Sequence, residues 1–193
     1  MVGINRLAYM KELSPKNLQE KIALQRDQAA YKQLFLSYYG DLYRFAIGFV
    51  RVKEAAEEVV SDVMLRIWCQ EEKLLLVDNL AVYLYRATRN RCLNYIRDNQ
   101  KHSTTSLEQF DDCFQYPQSN PEEAYLRNEW TGRLQEAVSG LPPKCKMVYK
   151  LVREDGLTYK EVAAILEISE NTVDRHLNNA LHKMVRSVKA YVL

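Results

Sequence analysis

Over most of its length this chain repeats apolar residues every three or four positions, and that spacing constrains its fold more than any other feature. Leu34, Phe35, Tyr38, Leu42, Phe45, Ala46 and Phe49 form one stripe, and Ala56, Val59, Val60, Val63, Met64 and Ile67 form a second. Leu80, Tyr83, Leu84, Ala87, Arg91 and Tyr95 follow a third, interrupted by one arginine. Residues at this spacing return to one face of an α-helix, which must then be buried. The runs between them are rich in Leu, Ala, Glu, Lys and Arg, alternating β-branched segments are scarce, and only 6 Gly and 5 Pro interrupt the chain. Such a composition favours helix over strand. An all-α fold is predicted, with three main helices between Gln28 and Ile96 and a weaker one between Pro15 and Ala30. At 193 residues and 47% hydrophobic content, the chain can build one ordinary core or two small ones.

The periodicity stops in the middle. The segment "HSTTSLEQFDDCFQYPQSNPEE", His102 to Glu123, is polar and turn-rich, with five acids and no Lys or Arg. It reads as a flexible acidic linker between two small helical domains. The predicted layout is an N-terminal extension of unassigned role at 1–27, a helical domain at 28–101, a linker at 102–120 and a second helical domain at 121–193. In the second domain Asn120 and Pro121 suit a helix start, with Glu122 and Glu123 at its positive end. "SGLPP" then separates a helix ending near Ser139 from one spanning Pro143 to Glu154. Thr158 and Glu161 have capping-box spacing and start a third helix. "EIS" is a turn, with Ser169 as cap of a fourth helix reaching about Val188.

Those last two helices, "LTYKEVAAILEISENTVDRHL", have the form of a helix-turn-helix. Ala163 supplies the small side chain needed where the helices cross, above a shared core of Val162, Ile165, Leu166, Ile168, Val173 and Leu177. Asn171, Thr172, Asp174, Arg175, Asn178, Asn179 and Lys183 are left on exposed faces of the second helix. Amides and Arg suit base edges, while Lys, Thr and Arg suit phosphates. An ordinary helical hairpin with a polar outer face is the competing reading. The coincidence of caps, short turn and small residue favours DNA. Gly is usual in such a turn, and Glu167 stands there instead. Either Glu167 is strained by about 1 kcal/mol or the turn differs.

A net charge of only +2 sits oddly with DNA binding, but the charge is segregated. Glu54 to Asp78 holds seven acids and two bases, a net −5, whereas Asn79 to Lys101 holds five bases and one acid, a net +4. The basic helix interleaves Arg86, Arg89, Arg91 and Arg97 with Tyr83, Tyr85, Tyr95 and Asn90. Cations track a backbone, aromatic faces stack unpaired bases and an amide reads a base edge, which is the chemistry of single-strand capture. For Tyr83, which lies on the apolar stripe, a core position is at least as good a reading. The acidic helix "KEAAEEVVSDVMLRIW" leaves Glu54, Glu57, Glu58, Ser61, Asp62, Leu65 and Trp68 outside its buried stripe. An exposed leucine among carboxylates suggests a surface for an Arg-rich protein partner, although acids near a helix start also serve the helix dipole.

Several classes are disfavoured. Cys69, Cys92, Cys113 and Cys145 are far apart and form no C-x-x-C pair, and His102, His176 and His182 are near none of them in sequence. Reduced core thiols are expected rather than disulfides or zinc, and no metal or cofactor is predicted. The N-terminus lacks a secretory signal's apolar core, and no apolar run reaches membrane-spanning length. A cytoplasmic protein without membrane insertion is expected.

In order, "YYGDLYRFAIGFV", "AEEVVSDVMLRIW", "NLAVYLYRATRNRCLNYIR" and "LPPKCKMVYKLVREDGLTYKEVAAILEISENTVDRHL" resemble an extracytoplasmic-function (ECF) sigma factor of bacterial RNA polymerase. The resemblance covers about Tyr31 to Val188. It implies a non-enzymatic polymerase subunit that directs promoter recognition, DNA melting and transcription initiation. It implies docking of Glu58, Ser61, Asp62 and Leu65 on a coiled coil of the largest subunit of core RNA polymerase. It implies minus-ten recognition and capture of melted, flipped bases by Asn79, Tyr83, Arg86, Arg89, Asn90 and Arg97. It implies reading of the minus-thirty-five duplex by Asn171, Thr172, Asp174, Arg175, Asn178, Asn179 and Lys183. An inhibitory anti-sigma factor, which in some cases holds the protein at a membrane, is a further implied partner. Two positions depart from the family pattern: Glu167, where Gly is common, and Asp174, where a base is common.

A stand-alone helix-turn-helix regulator of the response-regulator output type would carry a similar C-terminal motif. It should be preceded by a receiver or ligand domain, and Tyr31 to Lys101 has no alternating strand–helix pattern. An enzyme acting on nucleic acid would need a metal cluster, a phosphate loop or a nucleophile–base pair, and the sequence offers none.

Overall fold

A computed structural model describes residues 15–99 and 136–189, and the regular elements among them are all helical. The N-terminal unit comprises α1 (Pro15–Gln25), α2 (Gln28–Val50), α3 (Lys53–Cys69), a 3-10 segment (Glu71–Leu76) and α4 (Leu80–Asn99). The C-terminal unit comprises α5 (Pro143–Tyr149), which runs on as a π turn (Lys150–Glu154), then α6 (Tyr159–Leu166) and α7 (Glu170–Lys189). The acidic linker at 102–120, with Cys113, and the helix start at Asn120 and Pro121 lie outside the described residues.

Local chemistry sets the boundaries. The Asp27 carboxylate accepts from the backbone N–H groups of Ala29 and Ala30, so the expected single helix from Pro15 to Ala30 breaks there and α2 starts afresh. Thr158 and Glu161 form the full reciprocal capping box that starts α6. Ser169 Oγ accepts from Thr172 N at 3.1 Å and opens α7.

Packing departs from the sequence reading in one important respect. Two helical units exist, but the larger of two apolar clusters runs through both. Leu34, Leu42, Val60, Met64, Leu84 and Cys92 of the N-terminal unit belong to the same buried cluster as Leu151, Val162, Ile165 and Leu177 of the C-terminal one. The helix between them is α4, with α2 and α3 on one side and α6 on the other. A helix packed on both sides cannot keep a single stripe. Leu84 is buried as expected, but Tyr83, Ala87, Arg91 and Tyr95 are only half-buried. Tyr85, Thr88, Arg89, Cys92, Leu93 and Ile96 are buried instead. Cys92 and Cys145 are core thiols, with burial pushing Cys92 up to about 12. Cys69 is exposed, contrary to the core-thiol expectation, because it ends α3 beyond the buried Ile67.

Candidate nucleic-acid interface

Three surfaces carry the residues singled out by the sequence. The first lies on α3. Glu58, Ser61 and Leu65 recur every three or four residues and share one exposed face, with Leu65 58% exposed. Asp62 lies beside them but is already engaged. Arg91 Nη2 is 2.7 Å from its carboxylate, with Glu58 further off at 3.9 Å. Arg91 therefore interrupts the apolar stripe of α4 in order to tie α4 to α3. Trp68, placed outside by the sequence reading, is half-buried beneath the Arg26 guanidinium, 4.5 Å from the ring centre, and beside Tyr31.

The second surface is an open cleft of about 660 Å³ between the end of the 3-10 segment and α4. Asn79, Val82, Tyr83, Arg86, Asn90 and Arg91 line it. Asn79 also caps α4, its Oδ1 accepting from Val82 N at 3.0 Å. The Tyr83 hydroxyl accepts from the Gln70 amide, which holds the ring at the cleft wall. A cleft with amides, arginines and a tyrosine ring is suited to one unstacked base and its backbone. Arg97 lies further along α4, exposed, its guanidinium donating to Asn94 at 2.7 Å. Arg89 points elsewhere. Its side chain is only 11% exposed, and it faces the C-terminal unit.

The third surface is α7. Asn171, Asp174, Arg175, Asn178, Asn179 and Lys183 are exposed and Thr172 is half-buried, while Val173, Leu177 and Ala180 close the core beneath them. Asn178 Nδ2 donates to Asp174 Oδ2 at 3.0 Å, so the unusual acid orients an amide on the exposed face. His176, between them, lies below its usual range because of burial and the nearby Arg175 and Lys144 charges, which disfavour its charged form.

Nothing in the residue pattern signals that the second surface and the helix-turn-helix touch. Asn79 Nδ2 donates to Glu161 Oε1 at 2.7 Å. Arg86 and Arg89 approach the Glu167 carboxylate at 3.7 and 3.4 Å. Glu167 does adopt the left-handed conformation, at φ 59° and ψ 43°, so the first of the two alternatives for the turn holds. What glycine could not supply there is the carboxylate that meets both arginines. Burial raises Glu161, but donation from the Thr158 backbone, the Asn79 amide and the Thr158 hydroxyl outweighs it and holds the carboxyl below its usual range.

Tyr85 completes the contact. Assigned by the sequence to an exposed base-stacking series, it is 2% exposed, packs edge-on against Phe45, and donates its hydroxyl to Asp155 Oδ2 at 2.8 Å. Burial is the main cause raising Asp155 from 3.8 to about 6; the Tyr85 hydrogen bond and Arg44 oppose it, and Asp41 and Glu154 add to it. Lys150 also faces this carboxylate. A raised carboxyl binds more protons folded than unfolded, so its contribution to stability is fully present below the unfolded value and is lost as pH rises through about 6. Lowering the pH from 7 to 5 is expected to stabilise the wild type by about 1 kcal/mol relative to Asp155→Asn. Denaturant unfolding of both proteins at the two pH values checks it, and an unchanged difference would refute it.

The family model for sigma-70 region 2 matches residues 34–102 and that for sigma-70 region 4 matches 131–184, together more than half of the chain. The chain is 26% identical over 165 residues to the ECF RNA polymerase sigma factor RpoE of Cereibacter sphaeroides, covering 82% of this chain and 86% of that one. It is 26% identical over 141 residues to the ECF RNA polymerase sigma factor SigM of Bacillus subtilis, covering 72% and 82%. Among solved structures, its fold is similar to CnrH in complex with the cytosolic domain of CnrY, at a TM-score of 0.58 and 18% identity over 91% of this chain and 97% of that one. It is also similar to the sigma factor RpoE in complex with the anti-sigma factor NepR from Bartonella quintana, at 0.59 and 20% over 82% and 96%. A region 2 unit followed by a region 4 unit, with ECF sigma factors among its relatives, makes this chain a member of the ECF group of sigma-70 family transcription initiation factors.

Proposed function

We propose that this sigma factor docks on core RNA polymerase through Glu58, Ser61 and Leu65, captures a melted minus-ten base in the cleft, and reads the minus-thirty-five duplex with α7. The cleft is the observation that carries this reading. Its lining combines the three chemistries of single-strand capture in a cleft with room for an unstacked base and its backbone. The free chain keeps Asn79, Arg86 and Arg89 against Glu161 and Glu167, so engagement with both promoter elements requires the two units to part. Phosphate then replaces carboxylate at the arginines. An anti-sigma factor that favours the packed arrangement would keep the protein inactive; one of the solved neighbours is a sigma factor in complex with the anti-sigma factor NepR.

The protein works by positioning DNA on the polymerase, with no chemistry of its own, in the cytoplasm where promoters are. No helix among the described residues is long and apolar enough to cross a membrane. The direct test is run-off transcription with bacterial core polymerase on genomic fragments. Start sites sharing two spaced elements are expected. Changing Arg86 and Asn90 together to alanine is expected to cut opening about tenfold or more, from the loss of two base or backbone contacts. Binding of closed duplex should stay within twofold. Transcription no greater than with core alone would overturn the proposal.

A further inference from the structure

We infer that α1, which precedes the region 2 match, is a brace for the base-capture loop, with Gln19 as its positioning residue. The inference rests on the reading of the cleft given above. Gln19 is one of the few buried polar residues, 5% exposed, on the face of α1 that also buries Leu18, Ile22 and Ala23. Its single amide nitrogen donates to two backbone carbonyls, Leu74 O and, at 2.7 Å, Val77 O. These acceptors close the 3-10 segment, and the next two residues are Asp78 and Asn79 at the lip of the cleft.

The segment has little else to hold it. Leu74 is fully buried, but Leu75 and Leu76 are 40% and 82% exposed, so one apolar anchor serves six residues. A short 3-10 run leaves its last carbonyls without helical partners. Leu74 O accepts from Val77 N at 3.1 Å, and the Gln19 amide adds a second donor there and reaches Val77 O as well, which ties the backbone leading into Asn79 to α1. The start of the segment is gripped from the same side. Arg26, just beyond α1, donates to the Trp68 carbonyl at 2.6 Å and pairs with Glu71 at 3.5 Å. Gln70 then carries the constraint to the cleft wall through the Tyr83 hydroxyl. Both ends of residues 68–77 are therefore held from α1 and the residue that follows it, while no atom of Gln19 lines the cleft.

Gln19→Met keeps the length, the apolar stem and the helix preference but offers no N–H. Holoenzyme assembled with bacterial core polymerase is tested for capture of short random-sequence single strands, for base preference among the captured strands, for duplex binding and for core affinity. Gln19→Met is expected to weaken single-strand capture about tenfold and to flatten base preference, because the donor that ties both carbonyls to α1 is gone. Duplex binding and core affinity stay within twofold of wild type. Arg26→Met, at an exposed side chain, is expected to flatten base preference less and provides the readout if Gln19→Met does not fold. Unchanged preference in a folded variant overturns the brace while leaving the cleft reading intact. An equal decline of capture, duplex binding and core affinity also overturns it, since it makes Gln19 structural only. A wild-type holoenzyme without base preference overturns the cleft reading and the brace with it.

Discussion

Replacing Arg175 and Asn178 together by alanine is expected to weaken recognition of the minus-thirty-five duplex by about 100-fold, because each well-placed base contact is worth roughly 1–3 kcal/mol. Both side chains are exposed on α7, whose opposite face is fixed by Val173, Leu177 and Ala180, so truncation leaves the fold untouched. The loss is large because α7 has little general attraction to fall back on. Asp174 and Glu170 offset much of the charge of Arg175 and Lys183, and a helix engaging few cations gains little from counterion release. Binding of core polymerase and capture of single strands are expected to be unchanged. Asp174→Ala is the informative partner, since it frees the Asn178 amide that Asp174 now holds at 3.0 Å. It is expected to broaden sequence preference rather than abolish binding. Promoter selection that survives loss of Arg175 and Asn178 would show that another surface reads the duplex.

Core binding gives the second large effect. Glu58→Lys combined with Leu65→Ala is expected to lower affinity for core RNA polymerase about 30-fold or more, the loss of roughly 2 kcal/mol expected where a buried apolar anchor and a steering charge are removed together. Reversing Asp62 would be a poorer test. Its carboxylate lies 2.7 Å from Arg91, so a lysine there would set two cations together between α3 and α4 and disturb the fold. Glu58 and Leu65 are exposed, and their replacement leaves the buried face of α3 intact. Normal core affinity in the folded double variant would remove this face of α3 from the docking surface. A salt-dependent fall in association rate with an unchanged dissociation rate would assign the effect to Glu58 alone.

The two experiments probe surfaces that were legible in the sequence for the same reason. A face of a helix is written at intervals of three and four, and α3 and α7 each have one buried side, so the remaining positions could be read off directly. Helix ends were legible too. The Thr158–Glu161 box and the Ser169 cap bind their partners within three residues, so nothing distant can override them. The face of α4 was not legible. The third stripe assumed one buried side, but α4 has neighbours on two, which buries Tyr85 and Arg89 and leaves Tyr83 and Arg91 at the margins.

From the sequence alone follow the all-helical fold, the order of its parts, the exposed faces of α3 and α7, and membership of the sigma family through motifs in a fixed order. These depend on interactions between residues a turn or less apart. Only the tertiary structure decided what α4 does with its charges, why Glu167 stands in a left-handed turn, and what the N-terminal helix holds. Each of these joins residues far apart in the chain: Gln19 with Leu74, Arg89 with Glu167, and Asn79 with Glu161. A hydrogen bond or ion pair of this kind leaves no periodic trace, since its partners need only the right chemistry once folding has brought them together.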